Sequence, residues 1–216
     1  MGRCYLVRHA QTAWNSENRI QGYSDRPLNP LGHQQAQCLG SFFAACHLKH
    51  VFTSPLQRSR QTAHAIASGN GHGLTPTVEH ELAEMHLGAW EGLTPAEVDL
   101  QFQGAYQQWR LQPSSVSIPH AEQISAFRTR ARRALERIVA SMGDDGEYVV
   151  VSHGGVIAAL LADVLKADYD LVIRRVRLDN AGITALECGT SSPHVLWINS
   201  TGHLSTLATP FSESWF

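Results

Sequence analysis

Four stretches of this chain set chemically capable side chains beside apolar runs. Leu6-Val7-Arg8-His9-Ala10-Gln11-Thr12 puts a cation next to an imidazole where a short apolar run stops. Thr53-Ser54-Pro55-Leu56-Gln57-Arg58-Ser59 places Arg58 in what reads as the first turn of a helix. A cation there opposes the helix dipole by roughly a few tenths of a kcal/mol, unless an anion binds at the same place. Val149-Val150-Val151-Ser152-His153-Gly154-Gly155 ends another run in a second imidazole, beside glycines that admit close backbone approach. Glu81, Glu84 and Glu91 supply carboxylates in a turn-rich stretch, and spacing alone does not choose among them. Together, two arginines, two histidines and a carboxylate suit phosphoryl transfer. Guanidinium forks bind phosphate oxygens, a neutral imidazole nitrogen attacks phosphorus, and a carboxylic acid protonates the departing alcohol. The plainer reading is that a histidine at a strand end is a hydrogen-bonded structural residue.

These segments act together only if the fold brings them together. The pattern predicts strands over residues 3–8, 50–53, 74–80 and 147–152, and two closing strands over 183–186 and 195–198. Helices are predicted from Asn29-Pro30 to about residue 47, from Ser54 to about 67, from 94 to 109, from 124 to 142 and from 156 to 165. Ser54-Pro55-Leu56-Gln57 and Thr94-Pro95-Ala96-Glu97 both read as capping boxes. The 124–142 helix carries Ile124, Phe127, Ala131, Leu135 and Ile138 on one face, and Arg128, Arg132, Arg133, Glu136 and Arg137 on the other. That basic face reads as solvated rather than as a phosphate or RNA patch. Alternating strands and helices imply an α/β fold, a three-layer α/β/α sandwich with a largely parallel central sheet. Ligands of such sheets gather at the carboxyl ends of strands. Arg8-His9, Ser54 to Arg58 and Ser152-His153 all fall just past strand ends.

Composition narrows the class. With 216 residues, 43% apolar, 17% charged and a net charge of -2, the chain has no bulk field for nucleic acid or an anionic membrane. It shows no apolar stretch long enough for a signal peptide or a membrane span. The four cysteines, Cys4, Cys38, Cys46 and Cys188, form no Cys-x-x-Cys pair and read as reduced thiols. The expectation is a cytoplasmic protein with neither nucleic-acid nor membrane partners. One domain over residues 1–204 is expected, followed by a tail over 205–216 that carries Phe211, Trp215 and Phe216.

The chain resembles the histidine phosphatase, or phosphoglycerate mutase-like, superfamily from Leu6 to about Leu204. The resemblance rests on Leu6-Val7-Arg8-His9, Trp14-Asn15, Gln21-Gly22 with Asp25-Arg26-Pro27-Leu28, Gly32 with Gln35-Ala36, and Ser54-Pro55-Leu56 with Arg58 and Gln61-Thr62-Ala63. Leu87-Gly88 with Trp90-Glu91-Gly92, and Ser152-His153-Gly154-Gly155, complete it. It implies that His9 is a nucleophile that becomes transiently phosphorylated, and that Arg8, Arg58 and His153 form its phosphate pocket. Glu84 is implied as the general acid and then the base that activates water. Asn15, Gln21, Gly22 and Gly154 are implied along the phosphate and substrate approach. No metal and no cofactor are implied. Two departures stand out: the family's usual Arg-His-Gly-Glu-Thr reads Arg8-His9-Ala10-Gln11-Thr12, and its Gly-Glu-Ser reads Ala121-Glu122-Gln123.

Mutases of the superfamily carry a long insertion before the second histidine, whereas Trp109 and Glu122 here lie only a dozen residues apart. The 81–122 segment is then a short lid, and a phosphatase of the broad-specificity branch is expected, with small phosphate esters as its partners. A cofactor-dependent phosphoglycerate mutase and a non-catalytic phospho-ligand-binding protein are the alternatives, and a homodimer is left open. His86 and His203 are the other histidines expected near the site.

Overall fold

The apolar runs become strands: β1 (Gly2–Arg8), β2 (Leu48–Thr53), β3 (Thr77–Val78), β4 (Glu147–Ser152), β5 (Ile183–Cys188) and β6 (His194–Ser200). In the computed structural model, which describes residues 2–142, 146–189, 193–205 and 207, they form one sheet in the order β3-β2-β4-β1-β5-β6. The β3-β2-β4-β1 portion is parallel, and β5 and β6 close the sheet antiparallel. Side chains alternate between two faces along a strand, so a strand covered on both sides reads as a continuous apolar run. Tyr148 and Val150 of β4 point into one core, while Val149 and Val151 point into the other. The first core is closed by α6 (Ile124–Met142), α7 (Gly154–Val164) and α8 (Tyr169–Arg175), and the second by α2 (Pro30–Phe43) and α3 (Gln57–Asn70). This is the α/β/α sandwich that the sequence predicts. Among the described residues no helix is long and apolar enough to cross a membrane.

Several elements differ from their predicted spans. The 74–80 strand shrinks to Thr77–Val78, because Pro76 has no N–H for a ladder and both strand residues are exposed at the sheet edge. The 94–109 helix splits into α4 (Pro95–Gln101) and α5 (Ala105–Leu111). Gly104 turns into the left-handed region at φ 81°, and the Asp99 carboxylate accepts the N–H groups of Tyr106 and Gln107, which caps the second piece. The Thr94–Glu97 capping box forms as predicted. α3 runs to Asn70, three residues past its expected end, where the Asn70 amide donates to the carbonyls of Phe43 and Cys46. α8 was not anticipated; Asp168 caps it. A short helix, α1 (Ala13–Ser16), follows the first site segment.

The 81–122 segment folds back on itself. Gly88 has φ 52°, and a Cβ there would lie 2.2 Å from the Pro119 carbonyl oxygen, so the two ends of the segment meet backbone to backbone. Ala89 N–H donates to that same carbonyl at 2.9 Å. Inside the fold-back, Trp90 packs against Phe102, Tyr106 and Trp109. The expected aromatic tail residues Phe211, Trp215 and Phe216 lie outside the described residues.

Candidate active site

Parallel pairing brings three segments together. Arg8 sits opposite Ser152 and Thr53 opposite Val151, so the residues just beyond β1, β2 and β4 share one edge of the sheet. Arg8, His9, Arg58, Glu84 and His153 gather there, each 3% exposed or less. Five polar or charged side chains this deeply buried are unusual and demand partners.

His9 is held by both its backbone and its ring. Its N–H donates to Ser152 O at 2.8 Å, and ring Nδ1 stands 2.7 Å from Ala10 O. A carbonyl only accepts, so Nδ1 carries the proton and Nε2 keeps a lone pair. Burial, then the charges of Arg58 and Arg8, holds the imidazole well below the ordinary histidine pKa and therefore neutral. His153 lies with its ring 5.2 Å from that of His9, and burial with Arg58 and His9 lowers it in the same way. Its Nε2 meets Ser54 Oγ at 2.7 Å, while Nδ1 has no hydrogen-bond partner among the described residues.

That contact explains a correction. The Ser54 capping box does not form: α3 begins at Gln57 with Leu56 as its N-cap and no side-chain cap. The Ser54 hydroxyl accepts from Leu56 N–H and faces His153 instead, so an apparent helix cap is a support for an imidazole. Arg58 keeps its expected place in the first turn, whereas Pro55 lies two residues before the helix begins rather than inside its first turn.

The cations are only partly satisfied. Arg58 donates through Nη1 to Ser24 O at 2.7 Å and through Nη2 to Gly22 O at 2.8 Å; Arg8 donates through Nη1 to Leu178 O at 2.5 Å. The Nε groups of both are buried and without a partner among the described residues. Burial lowers each guanidinium to about 10, which still leaves both charged at neutral pH. Asn15 and Gln21 present two more donors. Asn15 Oδ1 accepts from Thr12 N–H and Asn180 Nδ2, and Gln21 Oε1 accepts from the Thr12 hydroxyl, so both amide nitrogens are left unpaired. Buried donors cost free energy when unpaired, and a multivalent oxyanion would satisfy several at once.

Of the three glutamates, Glu84 lies in the cluster. Its oxygens accept the N–H groups of Met85 at 2.8 Å and Gly155 at 3.0 Å, and burial outweighs these bonds to raise its pKa. Glu91 is occupied elsewhere: it accepts from Tyr23 N–H, Leu87 N–H and Ser24 Oγ. Gly22 has φ 51°, and a Cβ there would lie 2.5 Å from Glu91 Oε1, so this loop needs glycine. Glu81 pairs outward with Arg133 and Arg137. Gly154 opens α7 directly behind His153. Ala10 and Gln11 belong to the framework: Ala10 N–H donates to Thr62 Oγ1, and Gln11 Oε1 accepts from Asn29, the cap of α2. His86 is exposed, with its ring 6.0 Å from that of Tyr23, whereas His203 packs on Phe42 of α2.

Sequence reasoning missed Ser54 as a partner of His153, and it missed Asn180. The Asn180 amide donates to His9 O at 3.1 Å from a turn 171 residues away, for which no local pattern gives a signal.

The buried neutral histidines predict a pH effect on stability. Their folded pKa values are depressed, so below the ordinary 6.5 the unfolded chain takes up protons that the folded chain refuses. Stability is therefore full above that value and falls as pH drops toward about 5, by up to about 1.4 kcal/mol per pH unit for each histidine. Urea midpoints measured across this range should fall, and His9→Gln should flatten the slope. A pH-independent midpoint would contradict the buried neutral assignment.

The histidine phosphatase superfamily (branch 1) profile matches residues 4–201. The chain belongs to this superfamily. Among histidine phosphatase relatives, the probable phosphoglycerate mutase GpmB of Serratia proteamaculans is 34% identical and covers 97% of both chains. Putative phosphoserine phosphatase 2 of Hydrogenobacter thermophilus is 29% identical over 96% of this chain and all of its own. A solved structure of mycobacterial glucosyl-3-phosphoglycerate phosphatase with VO3 superposes with TM-score 0.83 at 30% identity, covering 92% of this chain and 99% of that one. Histidine phosphatase relatives thus carry both mutase and phosphatase names at nearly this length, so length alone does not separate the two activities.

Proposed function

We propose that this histidine phosphatase is a phosphomonoesterase that hydrolyses small phosphorylated metabolites through a phosphohistidine on His9. The observation that carries this reading is the pinned tautomer of His9, whose free Nε2 belongs to a ring packed among the buried donors of Arg8, Arg58 and His153. In the first step the Nε2 lone pair attacks phosphorus and the P–O bond to the alcohol breaks. Glu84, whose acid form burial favours, gives its proton to the departing oxygen. Arg8, Arg58 and the partnerless Nδ1 of His153 hold the phosphoryl oxygens as charge shifts between them. In the second step the Glu84 carboxylate takes a proton from water, whose oxygen attacks phosphorus. The P–N bond then breaks and inorganic phosphate leaves. The two guanidinium charges and the amides of Asn15 and Gln21 supply what a divalent cation supplies in other phosphoryl-transfer sites, so the reading needs no metal or cofactor. Residues 1–204 form the catalytic domain in this reading, with 81–122 as its lid.

Hydrolysis, rather than transfer to a second hydroxyl, is supported by the short connection from Leu111 at the end of α5 to Ile124 at the start of α6, which leaves little chain to keep water out. The deciding assay supplies 3-phosphoglycerate with a bisphosphorylated primer, and separately a panel of phosphate monoesters. Release of inorganic phosphate should outpace movement of phosphate between the 3- and 2-positions. Transfer faster than release would make the chain a mutase. Tight ester binding with neither reaction would make it a binding protein.

A further inference from the structure

We infer that Arg130 is the positioning residue of the general acid: its guanidinium holds the backbone that carries Glu84 and locks it to Glu122. The inference rests on the assignment of Glu84 as general acid. Arg130 projects from α6, and its side chain is 16% exposed, against 57% for Arg133 and 51% for Arg137 on the same helix. Those two make surface pairs of the kind that contribute little. Arg130 is different in the number and direction of its bonds. Nη1 donates to the carbonyls of Glu81 at 2.8 Å and Ala83 at 2.6 Å, and Nη2 donates to the carbonyl of Glu84 itself at 2.8 Å. The other edge of the fork makes a two-pronged pair with Glu122, Nε to Oε1 at 2.7 Å and Nη2 to Oε2 at 2.8 Å. Glu122 N–H in turn donates to His86 O at 2.8 Å.

One planar cation therefore ties three carbonyls of the Glu84 loop, within four residues, to the far end of the 81–122 segment. The carbonyls of Glu81, Ala83 and Glu84 point inward at this charge. Their orientation sets where the Glu84 side chain leaves the backbone, and so places its oxygens on Met85 N–H and Gly155 N–H. A lysine keeps the charge but cannot span these five acceptor atoms, because its ammonium is a point donor rather than a rigid fork. Displacing an acid by about 1 Å can cost a rate factor of about 100.

The test uses Arg130→Lys and Glu122→Gln in the full chain, with thermal midpoints measured alongside. For an alkyl phosphate, whose leaving group needs a proton, kcat/KM should fall about 10- to 100-fold in Arg130→Lys. For p-nitrophenyl phosphate, whose leaving group departs unprotonated, it should fall less than about threefold. Glu122→Gln should show the same split at smaller size. An equal fall on both substrates, tracking a lower thermal midpoint, would mean a merely structural role and overturn the inference. Unchanged alkyl phosphate hydrolysis in both variants would overturn it too. If Glu84→Gln shows the split and Arg130→Lys does not, only the positioning role fails. If Glu84→Gln shows no split, the general acid assignment fails instead.

Discussion

Replacing His9 with alanine should lower kcat/KM for every phosphate ester by about 10⁴- to 10⁶-fold, the scale of loss when an attacking group is removed from an otherwise intact site. No other side chain in the cluster is equipped to replace it. His153 is the nearest imidazole, but its Nε2 is engaged with Ser54, and its remaining nitrogen is aligned as a donor by that contact when the hydroxyl proton points at Nε2. The loss should appear in chemistry rather than in binding. Arg8, Arg58 and the amides of Asn15 and Gln21 do not depend on the His9 ring for their own hydrogen bonds, since their partners are Leu178, Ser24, Gly22 and Thr12. Competitive inhibition by inorganic phosphate should therefore change by less than about tenfold in His9→Ala, while turnover is lost. Retention of more than a tenth of wild-type turnover would contradict the nucleophile assignment.

Glu84→Gln should have the second largest effect, and its signature is selectivity. Removing a general acid costs about 10²- to 10⁴-fold where the leaving group needs a proton. The fall in kcat/KM should reach that range for alkyl phosphates and stay within about tenfold for p-nitrophenyl phosphate. With the activated ester, kcat should still drop, because the same carboxylate is needed to take a proton from water in the second step, and phosphorylated protein should accumulate. The pH profile follows from the direction of the shifts. Burial raises Glu84, so the acid form persists further toward neutral pH, and alkyl phosphate hydrolysis declines on the alkaline side as that proton is lost. Burial and the two arginines lower His9, so the nucleophile stays unprotonated far into the acid range. In Glu84→Gln the alkaline limb should vanish. Glutamine also turns an N–H₂ toward one of the two backbone N–H groups, so Glu84→Ala serves as a second variant free of that clash. An equal fall on both ester types would remove Glu84 from the acid role.

The parts of the fold written in local patterns were legible in the sequence. The β4 span, Glu147–Ser152, and the α6 span, Ile124–Met142, match their predicted bounds, because β4 is an unbroken apolar run buried between both layers and α6 keeps one apolar stripe that is buried. Convergence of Arg8, Arg58 and His153 was legible too, since parallel strands bring their carboxyl ends together whatever their loops do. Where the sequence misled, a local cue was overruled by a distant partner. Ser54 looks like a helix cap and supports His153, 99 residues away. Arg130, to which no local pattern assigns a role, has partners 46 to 49 residues earlier as well as on Glu122. The predicted reading of that face holds for Arg132, Arg133 and Arg137, which are solvated, whereas Arg128 is half-buried, paired with Asp163 and set over the Tyr169 ring. Spacing alone leaves Glu81, Glu84 and Glu91 open and the resemblance implies Glu84; the physical difference among them lies in distant partners, since Arg133 and Arg137 claim Glu81 and the Tyr23–Ser24 loop claims Glu91. Chain length carried less weight than expected, as the mutase-named relative of similar extent shows.

The central claim is a covalent phosphohistidine on His9, and rapid quenching tests it most directly. The protein is mixed with a ³²P-labelled monoester, stopped in alkali within its first turnovers, and digested for peptide mapping. The account predicts label that survives alkali, is lost in mild acid, and maps to the peptide carrying His9, with none incorporated in His9→Ala. Label on another residue, or full turnover with no labelled protein in Glu84→Gln, would contradict it.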